Sequence, residues 1–186
     1  MIARANGAIS ITGIGAYAPD RVLTNDDLSE MMDTSDEWIV ERTGIRERRI
    51  AADEQALSDI ALPAAREALE RAGVNGADVD LLIVATVTPD MAFPSAAAIL
   101  ADELGAGDAG AYDLSAGCTG FMYAVAQAYG MLAGGLARRA LVVGGDVLTL
   151  ECDVEAVRGP IGKGKARASV DGELAVRGTL TFAVER

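Results

Sequence analysis

Cys118 is the residue of this sequence best placed to act as a nucleophile. It lies in DLSAGCTGFMYAVAQAYG, residues 113–130, where an apolar strand pattern gives way to a helical one. The amides and the dipole of a helix N-terminus favour a nearby anion, and so they favour the reactive thiolate. Gly117 and Gly120 leave room for a substrate close to the backbone. The alternative is a small buried cysteine without chemistry.

Composition limits the chemistry around this cysteine. The chain has no histidine and only two cysteines, which are far apart in sequence, so we expect no metal site. The cysteines, Cys118 and Cys152, form no disulfide framework and fit a reducing compartment. A net charge of −12 argues against nucleic acid and anionic membranes as general partners. The first residues lack the apolar core of a signal peptide, so we expect a cytoplasmic protein.

One uncharged segment, residues 114–137, is long enough to cross a membrane. It is diluted with Gly, Ser, Thr and Gln, and its apolar residues are largely Ala, which drives insertion weakly. We therefore expect no membrane span. The segment instead predicts a helix that is buried on all sides within a layered protein.

Two glycine-rich segments imitate nucleotide-binding motifs. GIGAYA, residues 13–18, fits the dinucleotide pattern, but Pro19 follows where a phosphate-binding helix should begin. GPIGKGKA, residues 159–166, approaches a phosphate loop, but Ala166 replaces the hydroxyl that would bind Mg²⁺. We interpret the first as turn glycines and the second as a hairpin loop.

The elements that must position Cys118 alternate between strand and helix over residues 1–145. AISITGIGAYAP predicts a buried strand, TNDDLSEMM and TSDEWIVERTG predict short helices, and the latter has a capping box from Thr34 to Glu37. A long helix closed by Gly73, a strand at DLLIVAT, a helix at SAAAILADELGA and strands at GAYDLSAG and RALVVGG follow. This pattern predicts an α/β fold with a mostly parallel sheet flanked by helices.

The pattern changes in residues 146–186. Apolar residues occupy alternate positions from Leu148 onwards, and Asp171-Gly172 between two such runs is a strong hairpin signal. The segment therefore predicts a three-stranded antiparallel β tail with one solvent-exposed face. Cys152 lies on its apolar face, where we expect an inert thiol.

Four segments carry a family resemblance: TSDEWIVERTGIRERRI, ATVTPDMAFPSAAAILADELG, DLSAGCTGFMYAV and ALVVGGDVLT. In order and spacing they resemble the N-terminal half of β-ketoacyl-acyl carrier protein synthase III, a thiolase-like condensing enzyme of fatty-acid biosynthesis. The resemblance implies that Cys118 takes an acyl group from acyl-CoA, a substrate rather than a bound cofactor. It also implies that Trp38 stacks on the CoA adenine, with Thr34 and Arg42 beside it on one helix.

The same resemblance implies further contacts. Phe93 matches the family's loop residue that lines the partner's acyl pocket in a dimer, so a homo-oligomer is expected. The cluster Arg42, Arg46, Arg48 and Arg49 could meet phosphates or an acidic acyl carrier protein; alternatively, it is a solvated face. The family's catalytic His and Asn lie in its C-terminal half, and nothing here corresponds to them. Residues 150–186 instead resemble the last strands of a hot-dog-fold 3-hydroxyacyl-carrier-protein dehydratase, without its catalytic residues.

Three hypotheses follow from the sequence. The first is an acyl-CoA-dependent acyltransferase with Cys118 as the acyl-accepting nucleophile, incomplete for condensation. The second is a non-catalytic assembly module that covers its exposed faces with a partner. The third is a dehydratase-like subunit, which the tail favours. Acyl loading on Cys118 separates the first from the others.

Overall fold

The computed structural model describes residues 2–5, 8–147, 149–158, 161–170 and 173–183, with side chains for residues 8–147. The chain divides into two compact units, Met1–Gly145 and Asp146–Arg186. The elements of the first unit, in chain order, are β1 (Ile2–Ala5), β2 (Ala8–Ile11), β3 (Arg21–Thr24), α1 (Asn25–Met31), α2 (Asp36–Thr43), β4 (Glu47–Ile50), α3 (Leu57–Ala72), β5 (Leu81–Ala85), α4 (Ala96–Glu103), β6 (Gly110–Leu114), α5 (Gly120–Ala133) and β7 (Arg139–Gly144). The second unit contains β8 (Thr149–Arg158), β9 (Ile161–Val170) and β10 (Glu173–Ala183).

A five-stranded sheet in the order β2-β1-β7-β5-β6 forms the centre of the first unit. Strands β7, β5 and β6 are parallel, whereas β1 is antiparallel to both of its neighbours, β2 and β7. The prediction of a mostly parallel sheet is therefore correct only for β5, β6 and β7, the strands nearest to Cys118 along the chain. The prediction of a buried first strand is wrong, because β2 pairs only with β1 among the described strands and three of its four residues are exposed.

Helices cover both faces of the parallel strands, as the strand–helix alternation predicts. Leu82 and Val84 of β5 pack with α3 and α4, and the alternate residues Leu81 and Ile83 pack with α5. All five residues of β5 are buried. This is the pattern of a strand with apolar neighbours on both sides, and it explains why DLLIVAT contains no polar alternation.

The α5 helix differs from the sequence prediction. Its inner face, Gly120, Ala124, Ala128 and Leu132, is buried against the sheet. The opposite face is open: Met122 is 69% exposed and Tyr129 is 58% exposed. The prediction of a helix buried on all sides is therefore wrong for this structure, since small residues at a four-residue spacing seat only one face on the strands.

At the amino-terminal end of the parallel strands, Asp80 ties β5 to β7. Its Oδ2 accepts hydrogen bonds from the amides of Arg138 at 2.8 Å and Arg139 at 2.9 Å. Burial acts to raise the pKa of Asp80, but these amides and the two arginine charges outweigh it and hold the pKa below the ordinary 3.8. The charged carboxylate therefore joins the start of β5 to the start of β7.

A separate hairpin of β3 and β4, with α1 and α2 between its strands, carries the tryptophan. Thr24 caps α1 through a reciprocal pair of bonds with Asp27, and Gly44 ends α2 in the left-handed conformation at φ 73°. The cap of α2 is Ser35, which accepts from the Trp38 amide at 3.2 Å. The predicted capping box from Thr34 to Glu37 is therefore wrong, because Ser35 is the residue that caps α2.

The glycines of GIGAYA serve packing on a helix. A Cβ on Gly13 would lie 2.1 Å from the carbonyl oxygen of Ala68, and one on Gly15 would lie 2.0 Å from that of Ala64, both in α3. No helix follows this segment before β3. The dinucleotide motif is therefore a place where the backbone approaches α3 closely.

In the second unit, β9 pairs antiparallel with both β8 and β10. Residues 161–166 of GPIGKGKA belong to strand β9, so the interpretation of that whole segment as a loop is wrong. Val170 of β9 is paired with Glu173 of β10, and the predicted turn residues 171 and 172 between them lie outside the described residues. The side chain of Cys152 lies outside them as well.

Candidate active site

Three loops meet where the parallel strands β5, β6 and β7 end. The amide of Thr86, just after β5, donates to the carbonyl of Leu114 at the end of β6 at 3.1 Å. The amide of Gly145, just after β7, donates to the carbonyl of Ala85 at 3.3 Å. The carboxyl edge of parallel strands is the usual place for a ligand site in open α/β sheets. Cys118 and Phe93 both lie on these loops.

Cys118 occupies a single 3₁₀ turn, Gly117–Thr119, directly before α5. Its thiol is exposed. Gly117 has φ 55°, a left-handed conformation that side chains resist, and Gly120 fits against the Ala85 methyl at 3.4 Å from its would-be Cβ. The prediction of a cysteine at a strand-to-helix turn is confirmed. The alternative of a small buried cysteine is wrong, because Cys118 is exposed. The helix itself begins two residues later.

Phe93 projects from the loop between β5 and α4 and is 88% exposed. The loop is anchored at two points. Asp90 accepts from the amide of Ser58 at 3.0 Å and also from its hydroxyl, which holds the loop to the start of α3. Ser95 caps α4 by accepting from the Ala98 amide at 3.1 Å. An exposed aromatic side chain is thus presented from a loop with fixed ends.

Asp113 supplies a third anchor from the strand that leads to Cys118. Its two carboxylate oxygens accept from the amides of Ala96 at 2.9 Å and Ala97 at 2.8 Å, the first two residues of α4. The sequence analysis missed this residue. A lone carboxylate within the apolar strand GAYDL was the signal that could have found it, because a charge at such a position needs a partner.

Trp38 and Arg42 form a cation–π contact on α2, apart from the loops that carry Cys118 and Phe93. The Arg42 guanidinium carbon lies 4.5 Å from the centroid of the Trp38 ring, one helical turn away on α2. Trp38 is 51% exposed. Thr34 lies on the connection before the cap Ser35, so its predicted place on the same helix is wrong. The structure therefore joins two of the three residues expected to bind CoA.

The arginine cluster is divided between two roles. Arg48 donates to the Asn25 side chain, and Arg49 pairs with Glu47 at 3.0 Å. Arg42 and Arg46 are exposed, and Arg42 stacks on the tryptophan. Arg48 thus joins β4 to Asn25, whereas the Arg49–Glu47 pair lies within β4.

Asn25 is a second residue that the sequence analysis missed. It is 1% exposed, and its Nδ2 donates to Asp36 at 2.7 Å and to the Ile45 carbonyl at 2.8 Å. Its Oδ1 accepts from Arg48. These partners are the first residue of α2, a residue just after α2 and a residue of β4, so one amide holds both ends of the helix that carries Trp38. An asparagine directly after the cap Thr24 gave no sequence signal of this role.

Neither a membrane span nor a metal centre is found among the described residues. No helix there is long and apolar enough to cross a membrane. No group of three or more His, Cys, Asp and Glu side chains in that part of the chain is placed to hold a metal ion.

Comparison with known proteins connects this geometry to one family. The family model described as 3-oxoacyl-[acyl-carrier-protein] synthase III matches residues 112–161, which include Cys118. The β-ketoacyl-[acyl-carrier-protein] synthase III of Caulobacter vibrioides is 55% identical over 139 residues, which cover 75% of this chain and 43% of that protein. The corresponding protein of Symbiobacterium thermophilum is 56% identical over 141 residues, 76% of this chain and 43% of its own length. The matched part of the chain is therefore similar to synthase III proteins over less than half of their length.

Solved synthase III structures agree in fold. The Aquifex aeolicus enzyme superposes with a TM-score of 0.71 at 46% identity over 73% of this chain and 44% of its own. The Thermus thermophilus enzyme gives a TM-score of 0.70 at 48% identity over 74% of this chain and 43% of its own. The thiolase-like fold predicted for the first unit is confirmed. The chain spans less than half of the length of these synthase III relatives.

Proposed function

We propose that the part of the chain similar to synthase III carries the acyl-accepting step of fatty-acid biosynthesis, with Cys118 as the nucleophile. The observation that carries the proposal is the exposed thiol on a glycine-bounded turn at the carboxyl edge of the parallel strands. The family match covers this turn. An exposed thiol that precedes a helix can meet a thioester without any movement of the core.

The step is a thioester exchange. The Cys118 thiolate attacks the carbonyl carbon of acyl-CoA, the bond between that carbon and the CoA sulfur breaks, and CoA leaves as a thiolate that water protonates. The enzyme gains an acyl group in thioester linkage, and no electrons are exchanged with a further reagent. CoA enters and leaves as a substrate, so the proposal requires no bound cofactor.

The CoA subsite is proposed at α2. Trp38 offers half of its ring to solvent for the adenine, and Arg42 and Arg46 offer charge to the phosphates. Thr34, on the preceding connection, supplies a hydroxyl near the helix start. Since Arg42 stacks on Trp38 in the structure, the guanidinium shares the ring with an incoming adenine or gives way to it.

The finer parts of the proposal concern partners. Phe93 is exposed as a residue that lines the acyl pocket of a second copy would be, which supports a homo-oligomer. An acyl carrier protein is the proposed recipient of the chain, in the cytoplasm, where CoA thioesters are made. Condensation is not expected of this chain by itself, because the sequence contains no histidine to form the family's His and Asn pair.

A two-step radiolabel assay tests the proposal. The full chain is incubated with acyl-CoA labelled in the acyl group, with and without malonyl-carrier protein, and label is counted on protein and in 3-ketoacyl product. We expect label on the wild-type protein, none on Cys118→Ser, and no product from either. Failure of the wild-type protein to take label while a small alkylating agent modifies Cys118 contradicts the acyl-accepting function. Cys118-dependent product contradicts the incompleteness.

A second candidate function, the non-catalytic assembly module, is supported by the outer face of α5. Met122 and Tyr129 are exposed on a helix without any charged residue. Apolar patches of this kind mark interaction surfaces. Under this alternative the chain associates through α5 and Cys118 accepts no acyl group, so the radiolabel assay separates the two functions.

The assignment of residues 146–186 to a hot-dog-type tail is a proposal too. It is supported by the length of strands β8 and β10, 10 and 11 residues, and by the antiparallel pairing of both with β9. The described residues give no further support to a dehydratase-like function. Expression of residues 146–186 fused to a soluble carrier, with amide exchange measured over the strands, tests whether the tail holds this sheet.

A further inference from the structure

The first turn of α5 is packed on the ends of all three parallel strands. Gly120, the first residue of the helix, is buried, and a Cβ on it would lie 3.4 Å from the Ala85 methyl at the end of β5. The same Cβ would lie 3.9 Å from Cδ2 of Leu114 at the end of β6. A glycine at this position therefore lets the backbone of α5 pack closely on β5 and β6.

Phe121, the next residue, contacts β7. A Cβ on Gly144, the last residue of that strand, would lie 2.8 Å from Cδ2 of the Phe121 ring and 3.4 Å from its Cβ and Cγ. A separation of 2.8 Å is too short for two carbon atoms, so the ring contacts β7 in this way only because Gly144 has no side chain. Phe121 remains 48% exposed, so this contact does not place it in the core.

Cys118 belongs to the same short piece of backbone as Phe121. Its turn, Gly117–Thr119, joins the helix directly, and the Gly120 amide donates to the Gly117 carbonyl. The Thr119 hydroxyl donates to the carbonyl of Ala116 at 3.0 Å. Only two residues separate Cys118 from Phe121, so a shift of the first helical turn moves the turn that carries the thiol.

We propose that Phe121 is a positioning residue, which through its contact with Gly144 fixes the turn that presents Cys118 at the end of the parallel strands. This inference rests on the proposed acyl-accepting function of Cys118. Attack on a thioester requires the sulfur to lie about 3–3.5 Å from the carbonyl carbon of a substrate that other residues hold. The rate of loading therefore depends on where the turn lies.

The glycine contact sets the size of the expected effect. Ordinary contact begins at 3.4 Å, so an alanine at position 144 displaces the ring, and the turn with it, by about 0.6 Å. A misplacement of about 1 Å can cost about 10²-fold in rate. We therefore expect Gly144→Ala to lower the rate of acetyl loading from acetyl-CoA about tenfold.

A double variant tests whether the contact itself is responsible. Phe121→Ala removes the ring and should lower loading about fivefold, whereas Phe121→Leu keeps an apolar contact and should stay within about twofold of the wild type. In Gly144→Ala/Phe121→Ala the new methyl meets only the Cβ at position 121, at an ordinary 3.4 Å. The double variant should therefore load at the rate of Phe121→Ala, because the effects of residues in contact do not add.

A second readout does not depend on acyl transfer. Cys118 of the full chain is labelled with a trifluoroacetonyl group in a Cys152→Ser background, and its fluorine NMR resonance is recorded for each variant. We expect the resonance to move in Gly144→Ala, and to move in Phe121→Ala to a position that the double variant shares. If Gly144→Ala fails to fold, the comparison of Phe121→Ala with Phe121→Leu decides the question.

Two glycines provide controls. A Cβ on Gly134, at the other end of α5, would lie 3.2 Å from the Gly130 carbonyl oxygen, and one on Gly15 would lie 2.0 Å from that of Ala64. Gly134→Ala perturbs the same helix and Gly15→Ala perturbs the stability of the first unit, and neither touches the Phe121 contact. Measured below their unfolding temperatures, both should keep the wild-type resonance and load within about twofold of the wild type.

Additive losses in the double variant overturn the inference, as does equal loading by Phe121→Ala and Phe121→Leu. A loss in Gly15→Ala as large as that in Gly144→Ala also overturns it, since loading would then follow stability. Absence of loading in every protein, with the expected pattern of resonances, contradicts the acyl-accepting function alone. Loading of the wild type with one resonance position in all variants contradicts the positioning role alone.

Discussion

Replacement of Asn25 by alanine should release the helix that carries Trp38 before it affects the rest of the first unit. The side chain makes three hydrogen bonds, two of them to the charged groups of Asp36 and Arg48. Bonds to charged partners contribute about 1.5–3 kcal/mol each and a neutral one about 1 kcal/mol. Partial access of water to the partners lowers the sum, so we expect a loss of about 3–5 kcal/mol.

A loss of this size lowers the melting temperature by about 10 °C in a chain of this length. Trp38 is the single tryptophan, so its fluorescence reports on α2 alone while far-UV circular dichroism reports on all elements. In Asn25→Ala the fluorescence transition in urea should precede the dichroism transition, and quenching of Trp38 by CoA should weaken.

Ser29→Ala is the matched control for this prediction. The Ser29 hydroxyl donates to the carbonyl of Asn25 at 3.0 Å, so the variant removes one neutral bond at the same place in the fold. We expect a loss of about 1 kcal/mol or less, with coincident transitions. If Asn25→Ala lies within 1 kcal/mol of the wild type, or if Ser29→Ala is equally destabilised, Asn25 does not hold α2 and the reasoning is refuted.

Three further predictions concern stability and association. Because the pKa of Asp80 is lowered in the folded state, its contribution to the free energy of unfolding is present above pH 3.8 and is lost as the pH falls below that value. Asp80→Asn should therefore flatten this part of the plot of unfolding free energy, measured in urea, against pH. An unchanged slope contradicts the role of Asp80 in joining β5 to β7. Gly15→Ala should cost about 3 kcal/mol by forcing the backbone away from α3, whereas Gly130→Ala, in open space, should stabilise by about 0.5–1 kcal/mol in the same denaturation assay. Met122→Glu should reduce self-association in sedimentation velocity and Met31→Glu, of similar exposure on α1, should not; equal effects would argue against α5 as the contact.

Local signals predicted much of the first unit. Gly73 ends α3 in the left-handed conformation at φ 64°, and Ser95 caps α4, as their residue types indicate. The continuous apolar run of β5 predicted a strand covered on both faces, and the glycines around Cys118 predicted its turn. These features depend on residues within one turn or one strand, which is the range over which sequence patterns act.

The rest depends on contacts between distant residues. Asn25 reaches partners 11, 20 and 23 residues away, and Asp113 caps a helix that precedes it in the chain, so neither role has a local pattern. The antiparallel pairing of β1 depends on which strand lies at the edge of the sheet. The open face of α5 was mispredicted because an uncharged helix looks the same in sequence whether one face or both are covered.

Site-resolved acylation of Cys118 tests the central claim most directly. The full chain is incubated with acetyl-CoA, digested and analysed by peptide mass, with Cys152 as the internal control and Cys118→Ser as the matched variant. The account predicts one acetyl group per chain, on the Cys118 peptide, removed by hydroxylamine and absent from the variant. Acetylation of Cys152 at an equal rate, or an unmodified Cys118 that still reacts with iodoacetamide, would contradict it.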